Sequence, residues 1–303
     1  MNRPIPLKGV SIIALFVFCQ CNIDDVGQNH SSFAKMEVPG DFAEYWFNGE
    51  AELSSYNLDI VRYGEKRKGT AVHIFVTEDF SREKQVKLDR PKETPEDRVS
   101  VMKFNQIYRF ETGIYDYSMM NSVFTPIEIK EYPHSLKMTC TVQDWCGQSF
   151  SQLNLQDQHY RYQQFSYFES EGDRDLNVRP EMLEDELWTR LRIDPMSIKE
   201  GEVLLFPGDF FQTLNHEKPE PRAARIQFDA SEATGECIVE YLHLDRTIRI
   251  RFQSSFPHRI LSWSIEKGSK EVVSATLRET IKSPYWQQND NKFSYMRDSL
   301  KLN

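Results

Sequence analysis

Thr247-Ile248-Arg249-Ile250-Arg251-Phe252 is the most legible stretch of the chain. Successive side chains of a strand point to opposite faces, so Ile248, Ile250 and Phe252 share one side and Arg249 and Arg251 take the other. Such alternation suits an antiparallel sheet with one buried and one wetted face. It recurs over residues 71–76, 136–142 and 160–168. Further strands are expected over 56–63, 99–110, 117–124, 223–228, 237–242, 259–266 and 271–282. A turn bounded by Gly64 and Gly69 joins the strand 56–63 to 71–76.

Helix signals are few. Residues 180–192 read as one helix. Pro180 opens it, Leu183, Leu187 and Leu191 form a stripe beside Trp188, Glu181, Glu184 and Asp185 come early, and Arg190 and Arg192 come late. A shorter helix is expected over 41–47, and loops over the charged or Pro-containing segments 90–98 and 216–222. About ten strands with one or two short covering helices predict a mainly β fold, either a large curved antiparallel sheet or a partly open barrel. This β-rich domain would occupy residues 39–303, with 216–222 as the meeting point of two packed halves.

Composition narrows the function. The 20 Phe, 13 Tyr and 5 Trp among 303 residues need a core to pack in, which excludes wholesale disorder. Only 13 Gly argue against nucleotide folds built on Gly-rich loops, and a formal charge of −9 argues against nucleic acid as a partner.

The N-terminus carries an address. Arg3 and Lys8 precede an uncharged apolar run over 9–18, which ends at Phe18-Cys19-Gln20-Cys21. A spanning helix needs about 20 apolar residues, so this shorter run reads as the core of a signal peptide. A Cys directly after such a run is what lipoprotein processing requires. Its thiol takes a diacylglycerol, the preceding peptide is cut, and the new N-terminus is acylated, for example with palmitate. Cys21 is the expected lipidated residue and Cys19 the alternative, with an ordinary secretory signal as the third option. Residues 1–20 would then be the leader and the polar stretch 21–38 a flexible tether. Asp24-Asp25 resembles the acidic export signal of Bacteroidota surface lipoproteins. The expected location is the outer membrane, on its periplasmic or cell-surface side, where the acyl chains make the membrane itself a partner.

Chemistry-bearing motifs are weak. Cys140, Cys146 and Cys237 are an odd number of thiols in an oxidising compartment, and their pairing stays open. Cys146 follows Trp145 and lies three residues after Gln143, a faint echo of thiol hydrolases that makes it a candidate nucleophile. Gly64 and Gly69 have phosphate-loop spacing but lack the following Lys, so a hairpin turn is the better reading. None of the seven His has metal-helix spacing, and no metal or other cofactor is expected; His73 and His243 read as structural side chains within strands. A glycosidase-type carboxylate pair cannot be picked out from 46 acids by spacing. Arg249 and Arg251, with Arg246 nearby, form a candidate patch for an anionic ligand.

Residues 45–53 (Tyr-Trp-Phe-Asn-Gly-Glu-Ala-Glu-Leu), 71–80, 143–147, 186–192 and Ser283-Pro-Tyr-Trp286 resemble a family of uncharacterised Bacteroidota lipoproteins, over most of the chain after the leader. Some members carry the label septum formation inhibitor Maf. The Ser-x-Ser-Pro-Arg-Arg type motif of Maf pyrophosphatases does not occur in this sequence. Residues 187–201 are similar, more weakly, to periplasmic proteins with one large curved sheet. Neither resemblance supplies catalytic residues. The expected function is therefore a non-enzymatic cell-envelope lipoprotein that binds a lipid, a glycan or a protein partner. The alternative is a secreted hydrolase of envelope polymers that uses Cys146 or a carboxylate pair.

Overall fold

A computed structural model describes residues 40–302, and in it fifteen strands hydrogen-bond into one sheet. The expected leader, tether and lipidation sites Cys21 and Cys19 lie outside the described residues. From the centre of the sheet to one edge run β1 (Ala51–Arg62), β2 (Glu65–Ser81), β3 (Arg98–Thr112), β4 (Tyr115–Pro126), β5 (Lys137–Gln143), β6 (Gln148–Gln156), β7 (His159–Ser166) and β8 (Arg174–Val178). The chain then crosses to the other edge. It returns through β9 (Met182–Leu183), β10 (Gly201–Phe206), β11 (Arg222–Ala230), β12 (Thr234–Tyr241), β13 (Arg246–Gln253), β14 (Ile260–Lys267) and β15 (Lys270–Ser283). There β15 pairs antiparallel with β1, from Ala51 opposite Ser283 to Ile60 opposite Val273. Only the β9–β10 pair is parallel, and the sheet stays open with β8 and β9 at its edges. The fold is thus mainly β, a single mixed sheet that does not close, with four short α-helices. Apart from β1–β15 and the crossing, sheet neighbours are also chain neighbours, which keeps most loop-closure entropies small.

Ile248, Ile250 and Phe252 are buried on the face against which Trp188 packs, here the inner face, while Arg251 is exposed on the outer one. The helices are α1 (Gly40–Trp46), α2 (Leu187–Ile193), α3 (Asp209–Asn215) and α4 (Met296–Ser299). Trp188 of α2 meets a ring cluster at the centre of the inner face. There His73 stacks on Trp263 at 4.6 Å, with Trp188 edge-on to His73 at 5.3 Å. Burial holds the His73 imidazole well below its usual pKa, and its Nε2 lies 3.1 Å from the Gln106 amide nitrogen. It lies inside β2 as expected, and its Nδ1 is buried without a hydrogen-bond partner. His243, by contrast, lies in the turn between β12 and β13. On the outer face Leu300 and the half-buried Tyr285 and Leu302 cover Leu53, Ile74 and Val76.

The structure corrects several local expectations. The helix expected over 180–192 is α-helical only from Leu187; before it come β9 and a 3-10 turn at Glu184–Glu186. Met182 and Leu183 pair with Leu205 and Phe206 instead, and this strand pairing overrides the local helix signal. The β1–β2 turn is Tyr63-Gly64, both at positive φ, and Glu65 to Gly69 already belong to β2. Gly69 is needed for another reason: Phe110 sits directly opposite, and a Cβ on Gly69 would come within 2.8 Å of its Cβ. The strand 160–168 stops at Ser166, whose Oγ accepts the Phe168 N–H at 3.2 Å. The strands β6, β8 and β10 and the helix α3 had no clear sequence signal. Segment 216–222 links α3 to β11, which pairs with β10 in the same sheet.

Candidate functional site

Glu184, Asp185 and Glu186 are three consecutive acids and all are buried. Read from sequence they suit the exposed first turn of a helix. The structure places them instead in the 3-10 turn against the inner face, and each carboxylate has a partner. Glu184 receives Arg246 of β13 in a two-pronged pair at 2.5 and 2.7 Å and the Tyr241 hydroxyl of β12 at 2.7 Å. Glu186 accepts Arg190 Nε at 2.8 Å and the Ser135 N–H at 3.1 Å. Asp185 Oδ2 accepts the backbone N–H of Asp209 at 3.0 Å. The close approach requires Gly208, because a Cβ there would press on Glu184 and come within 3.3 Å of Asp185 Oδ1.

Asp185 and Asp209 stand apart because no cation is directly paired with either. Burial, followed by the charges of Glu184 and Asp209, pushes the Asp185 carboxyl well above its usual range. Burial likewise pushes Asp209 up to about 6, and the Ser151 hydroxyl that donates to its Oδ2 limits the rise. The Cys140 thiol beside Asp209 is raised by burial and by both carboxylates. At mildly acidic pH the two acids therefore tend toward neutral hydrogen-bonding groups rather than charges.

A cavity of about 190 Å³ opens next to this turn, between the inner face and α3. Its apolar wall includes Ile60, Tyr108, Met119, Trp188, Phe210 and Leu214. Its polar corner is Glu184, Asp185 and Arg246, with the Arg246 guanidinium 4.5 Å above the Phe211 ring. Exposed Asn215 and Lys267 stand at the rim, together with Arg62, which donates to the Leu214 carbonyl at 2.9 Å. The Glu184–Arg246–Tyr241 network satisfies its own charges. Two polar groups of the corner keep hydrogen-bonding capacity to spare: Arg246 Nε, which is buried without a partner, and Asp185, whose Oδ2 takes the Asp209 N–H.

The residues singled out from sequence fall elsewhere. Arg249 and Arg251 lie on the outer face, away from the cavity, and Arg249 is paired with Glu236 at 3.6 Å and Glu266 at 3.7 Å. Arg246 does not join them. It shares the parity of Ile248 and Ile250, so it points inward to Glu184. Cys146 is exposed in the β5–β6 turn, where its N–H donates to Asp144 Oδ1 at 2.6 Å. Cys140 and Cys237 are buried, and all three thiols are free. Among the described residues no group of His, Cys, Asp and Glu could hold a metal ion. Sequence reasoning missed the pairing of Asp185 with Asp209 and the cavity itself. The one available signal was the Glu-Asp-Glu run directly before an apolar helix stripe. No family model and no curated protein matches this chain.

Proposed function

We propose that this protein is a non-enzymatic lipoprotein of the cell envelope that holds a small neutral amphiphile in the cavity beneath α3. The observation that carries the reading is the chemistry of that cavity. Its walls are aromatic and aliphatic, its charges are already paired with one another, and one buried acid with a raised pKa is left facing it. Such a site rewards an apolar chain by area buried and fixes its head by one hydrogen bond. A protonated Asp185 donates to an ester or hydroxyl oxygen, whereas a carboxylate head finds the corner's cation, Arg246, already paired with Glu184. Glu184 is engaged by both Arg246 and Tyr241, a poor arrangement for a general base, which favours binding over hydrolysis. The outer membrane would be the place of work, with acyl chains on Cys21 holding the domain at the lipid surface.

Two measurements test this. Titration with 1-decanoylglycerol should change the tryptophan fluorescence of the wild type, and Trp188→Phe should lose most of that change. Asp185→Leu should weaken binding about tenfold, the value of one hydrogen bond to a buried group. Recovery of free decanoate and glycerol would show a hydrolase and overturn the reading. Separately, Cys21→Ala should move the protein from the membrane fraction to the soluble fraction, or stall it as the unprocessed precursor. Unchanged membrane association with an unmodified Cys21 would refute lipidation there.

A further inference from the structure

We infer that the outer face of β4 to β7 is a platform for a neutral glycan chain, distinct from the cavity on the opposite face. The strand registers align one cross-strand row, Ile107–Met120–Thr141–Phe150–Phe165. At its start the row is covered, since Ile107 packs into the cluster under Leu300. From Met120 outward it is open: Met120 is 37 % and Phe165 51 % exposed. The Phe150 and Phe165 rings are near-parallel, with planes 18° and centroids 6.5 Å apart. Just past the strand ends two more amphipathic rings are open to solvent, Trp145 at 68 % and Tyr167 at 64 % exposure. Tyr167 lies over the β5–β6 turn because position 147 is glycine; a Cβ there would meet the ring at 2.7 Å.

The polar surroundings identify the partner. Two residues up and down each strand from Met120, Thr141, Phe150 and Phe165, the outward positions within the strands carry only serine, threonine and glutamine, including Gln143, Gln148, Gln152 and Gln163. None is charged, in a chain that is 27 % charged overall. At the border Arg161 and Asp175 neutralise each other at 2.5 Å, and the exposed Arg109 of β3 stands opposite Ser118. Among these positions an anionic polymer finds no cation, and a purely apolar partner would bury the Gln143 and Gln148 amides without hydrogen bonds. A neutral pyranose chain meets both conditions. The C–H faces of its rings lie on the aromatic side chains, and its hydroxyls exchange hydrogen bonds with the amides and hydroxyls around them. A rigid sheet presents these groups preorganised, which lowers the ordering penalty of binding.

The test is an array of immobilised neutral and acidic glycans probed with the labelled full chain. The expected result is binding to one or more neutral glycans. Phe165→Ala/Tyr167→Ala should weaken it about tenfold or more while leaving the melting temperature unchanged. Should that variant misfold, Gln148→Glu/Gln163→Glu serves the same end, because its new charges sit on the exposed platform. Asp185→Leu, in the cavity, should keep glycan binding, so this inference and the cavity reading fail separately. Binding to no glycan, binding to acidic glycans only, or equal binding by the variants would overturn it. So would a wild-type dimer that Phe165→Ala/Tyr167→Ala turns into monomer, which would make the face a contact between copies.

Discussion

Arg192→Met is expected to destabilise the protein by about 3–5 kcal/mol at neutral pH. Arg192 projects from α2 and donates to both oxygens of Glu52 on β1, at 2.6 and 2.8 Å. Both side chains are buried, and the guanidinium also lies 4.7 Å over Phe75 and 4.9 Å over Trp46. Burial alone would raise the Glu52 carboxyl, but the Arg192 guanidinium, with the Tyr45 hydroxyl and Arg259, outweighs it and holds the acid below its usual range. Without Arg192 the carboxylate keeps the Tyr45 hydroxyl and a distant Arg259 at 3.9 Å, and loses its main counter-charge. Glu52→Gln/Arg192→Met should therefore be more stable than the single variant, because no buried charge is left unpaired. The single variant should also regain ground on acidification, as Glu52 takes up a proton. Thermal or urea unfolding measures all three. A loss below 1 kcal/mol, or a double variant worse than Arg192→Met alone, would show that the pair does not anchor the helix.

Asp209→Asn should raise stability at pH 8 by up to about 3 kcal/mol, a shift from the ordinary value to about 6 being worth roughly 1.4 kcal/mol per unit. Since the folded state raises this pKa, Asp209 binds its proton more tightly folded than unfolded. Its favourable contribution is complete below about pH 4 and is lost as pH rises through about 6. Asparagine keeps an oxygen for the Ser151 hydroxyl and carries no charge. The wild type and the variant should thus agree near pH 4, diverge as the pH rises from about 4 to 6, and keep a constant difference above that. Parallel melting-temperature profiles from pH 4 to 8 would show that Asp209 is not the group responsible.

Much of the architecture was legible because it depends on local parity. Ile248, Ile250 and Phe252 alternate with arginines, and no other arrangement buries the apolar side without burying guanidinium groups. The same logic located the strands that became β2, β3, β13 and β15. It failed for β10, where Leu204 and Leu205 are consecutive, and for β8, a short exposed edge strand whose Arg174 and Asp175 carry no apolar alternation. The central β1–β15 pairing was also invisible, since no local pattern records which distant strand will lie alongside.

The candidate site depends almost wholly on tertiary structure. In sequence Glu184, Asp185 and Glu186 are indistinguishable from a solvated helix start, and Arg246 from its outward neighbours Arg249 and Arg251. Strand periodicity and the cost of burying charge act between near neighbours, so a β-rich chain with an alternating, apolar-in sheet face can be read along the chain. Which acids are buried, which of them Arg246 neutralises, and where the cavity opens follow from the assembled fold. Those outcomes depend on groups 24 to 62 residues apart meeting in a low-dielectric interior, where a carboxylate is stable only if a distant cation, hydroxyl or backbone N–H arrives to meet it.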